Sequence, residues 1–226
     1  MRAVIPDAAD LVYAELYSDP PELAPLPEEE PLIAKSVPKR RNEFVTVRHC
    51  ARVALEQLGV APAPILKGEK GEPCWPDGVV GSLTHCRGAV VGLDRSVRSV
   101  GIDAEPHGVL PDGVLNAVSL PVERYEIGAL PGGLHWDRIL FCAKEATYKA
   151  WYPLTGVVLH HEQVRVQLTA DGTFRAEASD GIRMPLRVEG RWRAGPDVVL
   201  TLAAVAAREV PRDAATHRTA RGAASR

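Results

Sequence analysis

Asp103 and Glu105 stand two residues apart in Val100-Gly101-Ile102-Asp103-Ala104-Glu105. The stretch reads as a β-strand, whose side chains alternate between faces, so both carboxylates point one way and Val100, Ile102 and Ala104 the other. Neighbouring acids repel, and each raises the other's pKa unless a cation sits between them. A hard divalent ion such as Mg2+ suits that pair, since it takes oxygen ligands from both the protein and phosphate. A solvated acidic strand end is the plainer alternative. The second chemical stretch is Phe141-Cys142-Ala143-Lys144-Glu145-Ala146-Thr147-Tyr148-Lys149. On a helix Glu145 and Lys149 are i and i+4 and share a face, with Lys144 one residue's rotation away. Such a pair is ordinarily a surface ion pair. Here, however, two of the chain's six lysines (Lys35, Lys39, Lys67, Lys70, Lys144 and Lys149) fall together beside Phe141, Tyr148 and Trp151. Glu145 brought to Asp103 and Glu105 would complete a metal site, and the lysines would hold phosphate oxygens.

The elements that must position these groups follow from periodicity. Residues 19–31, with five prolines and several acids, read as an acidic surface loop. Leu32 to Gly59 has helical spacing, broken once at Pro38, and carries Lys39, Arg40, Arg41, Arg48 and Arg52. Residues 66–73 are turn-rich, with glycines that allow a ligand close to the backbone. Val79–Cys86 and Ala89–Leu93 look like a hairpin, with Val97–Ala104 as a further strand. Short helical stretches are predicted at 114–117 and 122–130, and a long amphipathic helix from Trp136 to Tyr152 ended by Pro153. Strands are predicted at 157–159, 163–168, 173–176, 186–192 and 198–205. The second half thus echoes the first, a helix followed by a hairpin-rich sheet. The expected division is 1–100 and 101–206, the latter carrying both motifs, with 207–226 an Arg- and Ala-rich disordered tail.

Composition narrows the class. The 226 residues are 46% hydrophobic and 25% charged, as in a folded soluble protein. Lys plus Arg number 27 against 29 Asp plus Glu, a net charge of −2 that argues against a chain coating nucleic acid. No apolar run reaches the ~18–20 residues of a membrane span. The N-terminus lacks a signal-like apolar stretch, so the expected address is the cytosol. Neither nucleic acid nor membrane is an expected partner. Cys50, Cys74, Cys86 and Cys142 form no CxxC pair and read as buried free thiols.

Gly101-Ile102-Asp103-Ala104-Glu105 is followed, with 39 residues between Glu105 and Glu145, by Lys144-Glu145-Ala146-Thr147-Tyr148-Lys149. That pattern resembles the 4′-phosphopantetheinyl transferases, in particular their larger surfactin- and enterobactin-type members. Arg48, the Lys67–Pro73 stretch and Leu83-Thr84-His85 add to the resemblance, which covers roughly residues 35 to 205. It implies an α+β fold of two similar halves related by a pseudo-two-fold axis, each a small antiparallel sheet packed on a long helix, in a monomer. The implied activity is transfer of phosphopantetheine from coenzyme A to a serine of apo acyl or peptidyl carrier proteins. Adenosine 3′,5′-bisphosphate leaves, in polyketide, nonribosomal peptide or fatty acid synthesis.

By the same resemblance Asp103, Glu105 and Glu145 hold Mg2+, or Mn2+ in its place, and Lys149 and Lys144 contact the pyrophosphate. Arg48, with Lys39, Arg40 and Arg41, meets the adenosine phosphates, His85 meets the 3′-phosphate, and Lys67, Gly71, Pro73 and Thr84 complete the coenzyme site. Glu123 sits where relatives carry a glutamate that helps deprotonate the serine. Glu72 departs from the lysine that some relatives have there, and Thr84 from a common serine. The chemistry is consistent without the family name: charge develops on phosphoryl oxygens, and a poor serine nucleophile needs a base. The residues leave Glu123 and Asp103 both open as that base. They also leave open a Mg2+-dependent phosphohydrolase and a non-catalytic coenzyme A-binding module.

Overall fold

In the computed structural model, which describes residues 11–86, 89–178 and 188–206, the chain forms two antiparallel sheets, each with one long helix. The first half holds β1 (Val12–Leu16), α1 (Pro38–Gln57), β2 (Val80–His85) and β3 (Ala89–Asp94), with strand order β1-β3-β2. The second begins with β4 (Val97–Pro106), α2 (Val114–Val118), α3 (Pro121–Gly128) and α4 (Trp136–Thr155). It ends with β5 (Val164–Leu168), β6 (Thr173–Ala178), β7 (Val188–Ala194) and β8 (Val198–Ala206), in order β4-β8-β7-β6-β5. In both halves the strand before the long helix pairs with the last strand in sequence, β1 with β3 and β4 with β8. This is the α+β arrangement expected. The 207–226 tail lies outside the described residues, as do Leu186 and Arg187 of one predicted strand.

Each long helix buries one stripe. Val47, Cys50, Ala51, Ala54 and Leu55 of α1 pack with Ala14, Ile65 and Leu93. Ile139, Leu140, Ala143, Ala146, Ala150 and Trp151 of α4 pack on Val164, Val166, Phe174, Val199 and Ala203. Burial of these stripes, at roughly 25 cal/mol per Å2 of apolar surface, is the main force holding helix to sheet. Pro38 starts α1 instead of interrupting it, because at the first helical position its missing N–H has no partner to lose. Pro153 likewise does not end α4. The helix runs two residues further and stops at Gly156, whose left-handed φ of 64° lets its N–H reach the Tyr152 carbonyl at 2.9 Å. Residues 157–159 form no strand, and β1 lay unrecognised ahead of the proline-rich loop. That loop is not merely surface: Glu29 is fully buried, bonded to Arg52 at 2.9 Å and to the Ile65 N–H at 2.9 Å. Cys50 and Cys142 are buried thiols as expected, but Cys74 is exposed and Cys86 half-buried.

Two contacts fix β4, one within the second half and one between the halves. The first is helix on strand: a Cβ on Gly101 would lie 1.9 Å from the Ala146 carbonyl oxygen and 2.6 Å from the Ala150 nitrogen, so α4 rests directly on strand backbone. The second is a seam between β2 and the open edge of β4. The Ile102 N–H donates to Ser82 Oγ at 2.9 Å and the Ala104 N–H to Thr84 Oγ1 at 3.2 Å. Alternate hydroxyls on β2 thus satisfy alternate edge donors that a neighbouring strand would otherwise bond. Replacing Gly101 with alanine forces helix backbone to move, and overpacking of this kind costs about 1–3 kcal/mol or more. The Gly101→Ala chain is expected to melt several degrees lower, by calorimetry, with its activity reduced; an unchanged melting temperature would contradict the contact.

Candidate active site

The seam and the Gly101 contact together bound one cleft of about 450 Å3. Its first-half wall comes from α1 (Arg40, Glu43, Phe44, Arg48), the 67–73 turn and β2 (Thr84, His85). The opposite wall comes from β4 (Asp103, Glu105) and α4 (Glu145, Tyr148, Lys149, Tyr152). One side is thus rich in cations and the other carries the three carboxylates predicted from the sequence.

Lys149 joins the two walls. Its Nζ bonds Asp103 Oδ1 at 2.7 Å, the Ile102 carbonyl at 3.1 Å and the Leu83 carbonyl at 3.4 Å, touching β4 and β2 at once. Thr84 Oγ1, besides serving the seam, donates to the same Asp103 oxygen at 3.3 Å. Asp103 Oδ2 is left buried with no partner among the described residues. Glu105 accepts from Arg138 Nη1 at 2.9 Å, and Glu145 lies 3.4 Å from His161 Nε2. Burial, reinforced by the Asp103 charge, pushes the carboxyls of Glu105 and Glu145 above the usual range, and the cations near them only partly offset it.

The three acids therefore share a cleft, but the single-ion grip expected of them is not formed as they stand: among the described residues no three His, Cys, Asp or Glu are gathered closely enough to hold a metal. Lys149 holds one oxygen of Asp103, Arg138 holds one oxygen of Glu105, and Glu145 lies against His161. The chemistry of the three acids nonetheless fits a divalent ion. An orphaned buried carboxylate oxygen and two carboxyls raised by burial and then by neighbouring negative charge are what a bound cation would relieve.

On the cationic wall Arg48 is buried, with its Cζ 3.3 Å from the Phe44 ring centroid and its Nε donating to the Ile65 carbonyl at 3.0 Å. Burial pulls its pKa down to about 10, against the opposing pull of Glu29, so it remains charged near neutrality. Lys67 stands 5.3 Å from the same ring. The 67–73 turn uses its glycines for itself: Gly71 has φ 89°, and Gly68 leaves the space that the Glu72 carboxylate fills. Glu72 Oε2 accepts the Lys70 N–H at 3.0 Å, so it braces the turn. His85 lines the cleft with Nε2 2.9 Å from Asp19 Oδ1. Burial pushes the Asp19 carboxyl up, but hydrogen bonds from Thr46 and His85 prevail and hold it below the usual range.

Four predicted residues stand elsewhere. Arg41 turns away to a two-bond pair with Glu30 at 2.8 and 2.7 Å. Lys39 lines a neighbouring hollow with Tyr17, Asp19 and His85. Glu123 and Lys144 are both outside the cleft and buried against each other, Nζ to Oε2 2.9 Å. Lys144 also bonds the His161 and Val164 carbonyls at 2.7 Å, and Glu123 accepts the Leu120 and Val166 N–H groups at 2.6 Å. One residue's rotation along α4 carries Lys144 to the core side while Glu145 faces the cleft. As placed, the Glu123 carboxylate is taken up by Lys144 and two backbone N–H groups and the Lys144 ammonium by Glu123 and two carbonyls, so neither faces the cleft. The sequence also passed over Asp19, for which nothing in the proline-rich loop gave a signal. It passed over Arg138 too, although 138, 145 and 149 fall on one helix stripe.

The two halves correspond to known families. Residues 28–93 match the 4′-phosphopantetheinyl transferase N-terminal domain and residues 99–203 the 4′-phosphopantetheinyl transferase superfamily. The chain is 63% identical over 206 residues to 4′-phosphopantetheinyl transferase PptT of Mycobacterium tuberculosis, covering 85% of this chain and 91% of that protein. It is 49% identical over 215 residues to 4′-phosphopantetheinyl transferase Npt of Nocardia iowensis, covering 88% and 97%. With 4′-phosphopantetheinyl transferase Svp of Streptomyces mobaraensis it shares 48% over 222 residues, covering 92% and 89%. The chain belongs to the 4′-phosphopantetheinyl transferase superfamily, the enzyme class that its two motifs predicted.

A direct check separates a buried brace from a base at Glu123. Breaking a buried ion pair costs about 3–5 kcal/mol. Glu123→Ala is therefore expected to lose that much stability in urea unfolding; a variant of normal stability but no activity would restore the catalytic assignment.

Proposed function

We propose that this protein transfers the 4′-phosphopantetheine arm of coenzyme A to a serine of an apo acyl or peptidyl carrier protein, releasing adenosine 3′,5′-bisphosphate. The observation that carries it is the single cleft in which a cationic wall faces three carboxylates and a lysine. A pyrophosphate flanked by a further phosphate needs both: cations for its oxygens, and acids for a divalent ion and a proton. Arg48, Lys67, Lys70 and Arg40, which line the cationic wall with His85, would meet the adenosine end and its phosphates. Asp103, Glu105 and Glu145 would hold Mg2+, which would neutralise charge growing on the anhydride oxygens.

Lys149 is fixed before substrate arrives by three acceptors, so its ammonium meets the phosphoryl oxygens with little reorganisation. The serine hydroxyl forms a new P–O bond at the phosphorus that bears the pantetheine, and the anhydride P–O bond breaks, leaving adenosine bisphosphate. The hydroxyl proton goes to a carboxylate. Glu145 is the best suited, because it lines the cleft and among the described residues lies against His161 rather than a lysine or arginine. Asp103 is engaged by Lys149 and Thr84, and Glu105 by Arg138. Tyr148 and Tyr152, ring centroids 5.8 Å apart, line that side of the cleft. All these groups come from one chain, which fits action as a monomer. No helix among the described residues is long and apolar enough to cross a membrane, which fits a cytosolic site of action.

The test is the gain of phosphopantetheine mass on an apo carrier protein, with coenzyme A and Mg2+. Asp103→Ala and Glu145→Ala are each expected to lose at least about a hundredfold in rate. Full activity in either, or turnover of coenzyme A without an acceptor, would contradict the transferase. Ionised carboxylates are required to bind metal, and those of Glu105 and Glu145 titrate above the ordinary range. The Mg2+ concentration for half-maximal rate is therefore expected to rise as pH falls from neutral, before ordinary carboxylates protonate; a half-saturation independent of pH down to that range would count against their role.

A further inference from the structure

Arg138, in the first turn of α4, spends all three edges of its guanidinium on one short piece of chain. Nη1 donates to Glu105 Oε2 at 2.9 Å, Nε to the Gly108 carbonyl at 3.1 Å and Nη2 to the Val109 carbonyl at 2.9 Å. Beside it Asp137 Oδ2 accepts the Leu110 N–H at 2.7 Å. On the other side of the same strap the His107 N–H donates to the Asp197 carbonyl at 2.8 Å. The chain leaving β4 is thus pinned to α4 at the point where Glu105 enters the cleft. Arg138 itself is 14% exposed and does not line that cleft.

We propose that Arg138 is a positioning residue for the divalent-ion site, holding Glu105 by one oxygen so that the other faces Asp103 and Glu145. The proposal rests on the transferase reading above and goes beyond it by naming what builds the site. Three facts support it. Glu105 stands beside two other carboxylates whose charge drives it outward, and a long, flexible side chain would swing to solvent unless held. The hold comes from outside the cleft, so it takes a single oxygen and no space from a ligand. A planar guanidinium alone can bond a carboxylate and two divergent carbonyls together; a lysine ammonium in its place would keep the charge but lose the fork. A competing effect has the opposite sign, since a nearby positive charge repels a metal ion. The Glu105 carboxylate and the two carbonyls that Arg138 bonds offset its charge, whereas loss of a hydrogen bond to a ligating group typically weakens metal binding 10–100-fold. Positioning therefore dominates.

The experiment uses the full chain without coenzyme A, titrated with Mn2+ and read by the electron paramagnetic resonance of the free ion, alongside the Mg2+ dependence of carrier modification. For Arg138→Gln the Mn2+ dissociation constant and the Mg2+ half-saturation are both expected to rise about tenfold. The rate at saturating Mg2+ should stay within about threefold of the parent, because the site is refilled by mass action. Arg138→Lys, which keeps the charge and the fold more readily, should fall between the two. A merely structural role would lower the melting temperature and the saturated rate without shifting either metal curve, and that outcome, or unaltered Mn2+ affinity in both variants, overturns the proposal. Failure of the transferase reading looks different: the unsubstituted chain would then modify no carrier and bind no Mn2+, and the proposal would fall with it.

Discussion

Helix α4 lies on strand β4 with no side chain between them at Gly101, where the helix backbone comes so near that even a methyl group would collide with it. The rest of the site depends on that approach. Asp103 and Glu105 follow Gly101 at two-residue intervals on the same face of the strand, and Glu145 and Lys149 flank the helix residues that touch it. A gap of even a few tenths of an ångström at Gly101 would loosen the 2.7 Å bond between Lys149 and Asp103. The glycine of the Gly-Ile-Asp motif is thus a distance setter, and the acids after it are useful because of it.

The seam between the halves applies a second constraint. Two sheets could have merged by backbone pairing of β2 with β4. Instead Ser82 and Thr84 offer hydroxyls to the edge donors of Ile102 and Ala104, and Lys149 caps the Ile102 and Leu83 carbonyls. Side chains spanning the gap hold the sheets apart at one end, and the cleft opens there. Thr84 and Lys149 serve both the seam and Asp103, so the joint between the halves and the acidic wall are made of the same groups.

Much of this was legible in the sequence because it depends on short-range periodicity. Alternation in β4 put Asp103 and Glu105 on one face, and helical spacing put Glu145 with Lys149. The order of helices and strands then gave two similar halves. What escaped depends on pairings across long stretches of chain. Glu123 and Lys144 look like a base and a phosphate ligand when read singly, and become a core ion pair only when α3 packs beside α4. Glu29 sits in a proline-rich acidic run with nothing local to mark it as the buried partner of Arg52. Pro38 and Pro153 were read as breaks, yet one begins a helix and the other sits inside its last turn, where little hydrogen bonding is lost. The separate pairing of the three acids with Arg138, Lys149 and His161 was equally out of reach, since it follows from which side chains meet in the folded cleft.

The central claim is that acids from two distant stretches of chain serve one ion beside one pyrophosphate. Anomalous scattering from crystals grown with Mn2+ and coenzyme A tests it most directly. A single peak about 2.0–2.3 Å from carboxylate oxygens of Asp103, Glu105 and Glu145, and touching the pyrophosphate, is the expected result. An ion bound elsewhere, or one held on the strand acids while Glu145 stays on His161, would contradict it.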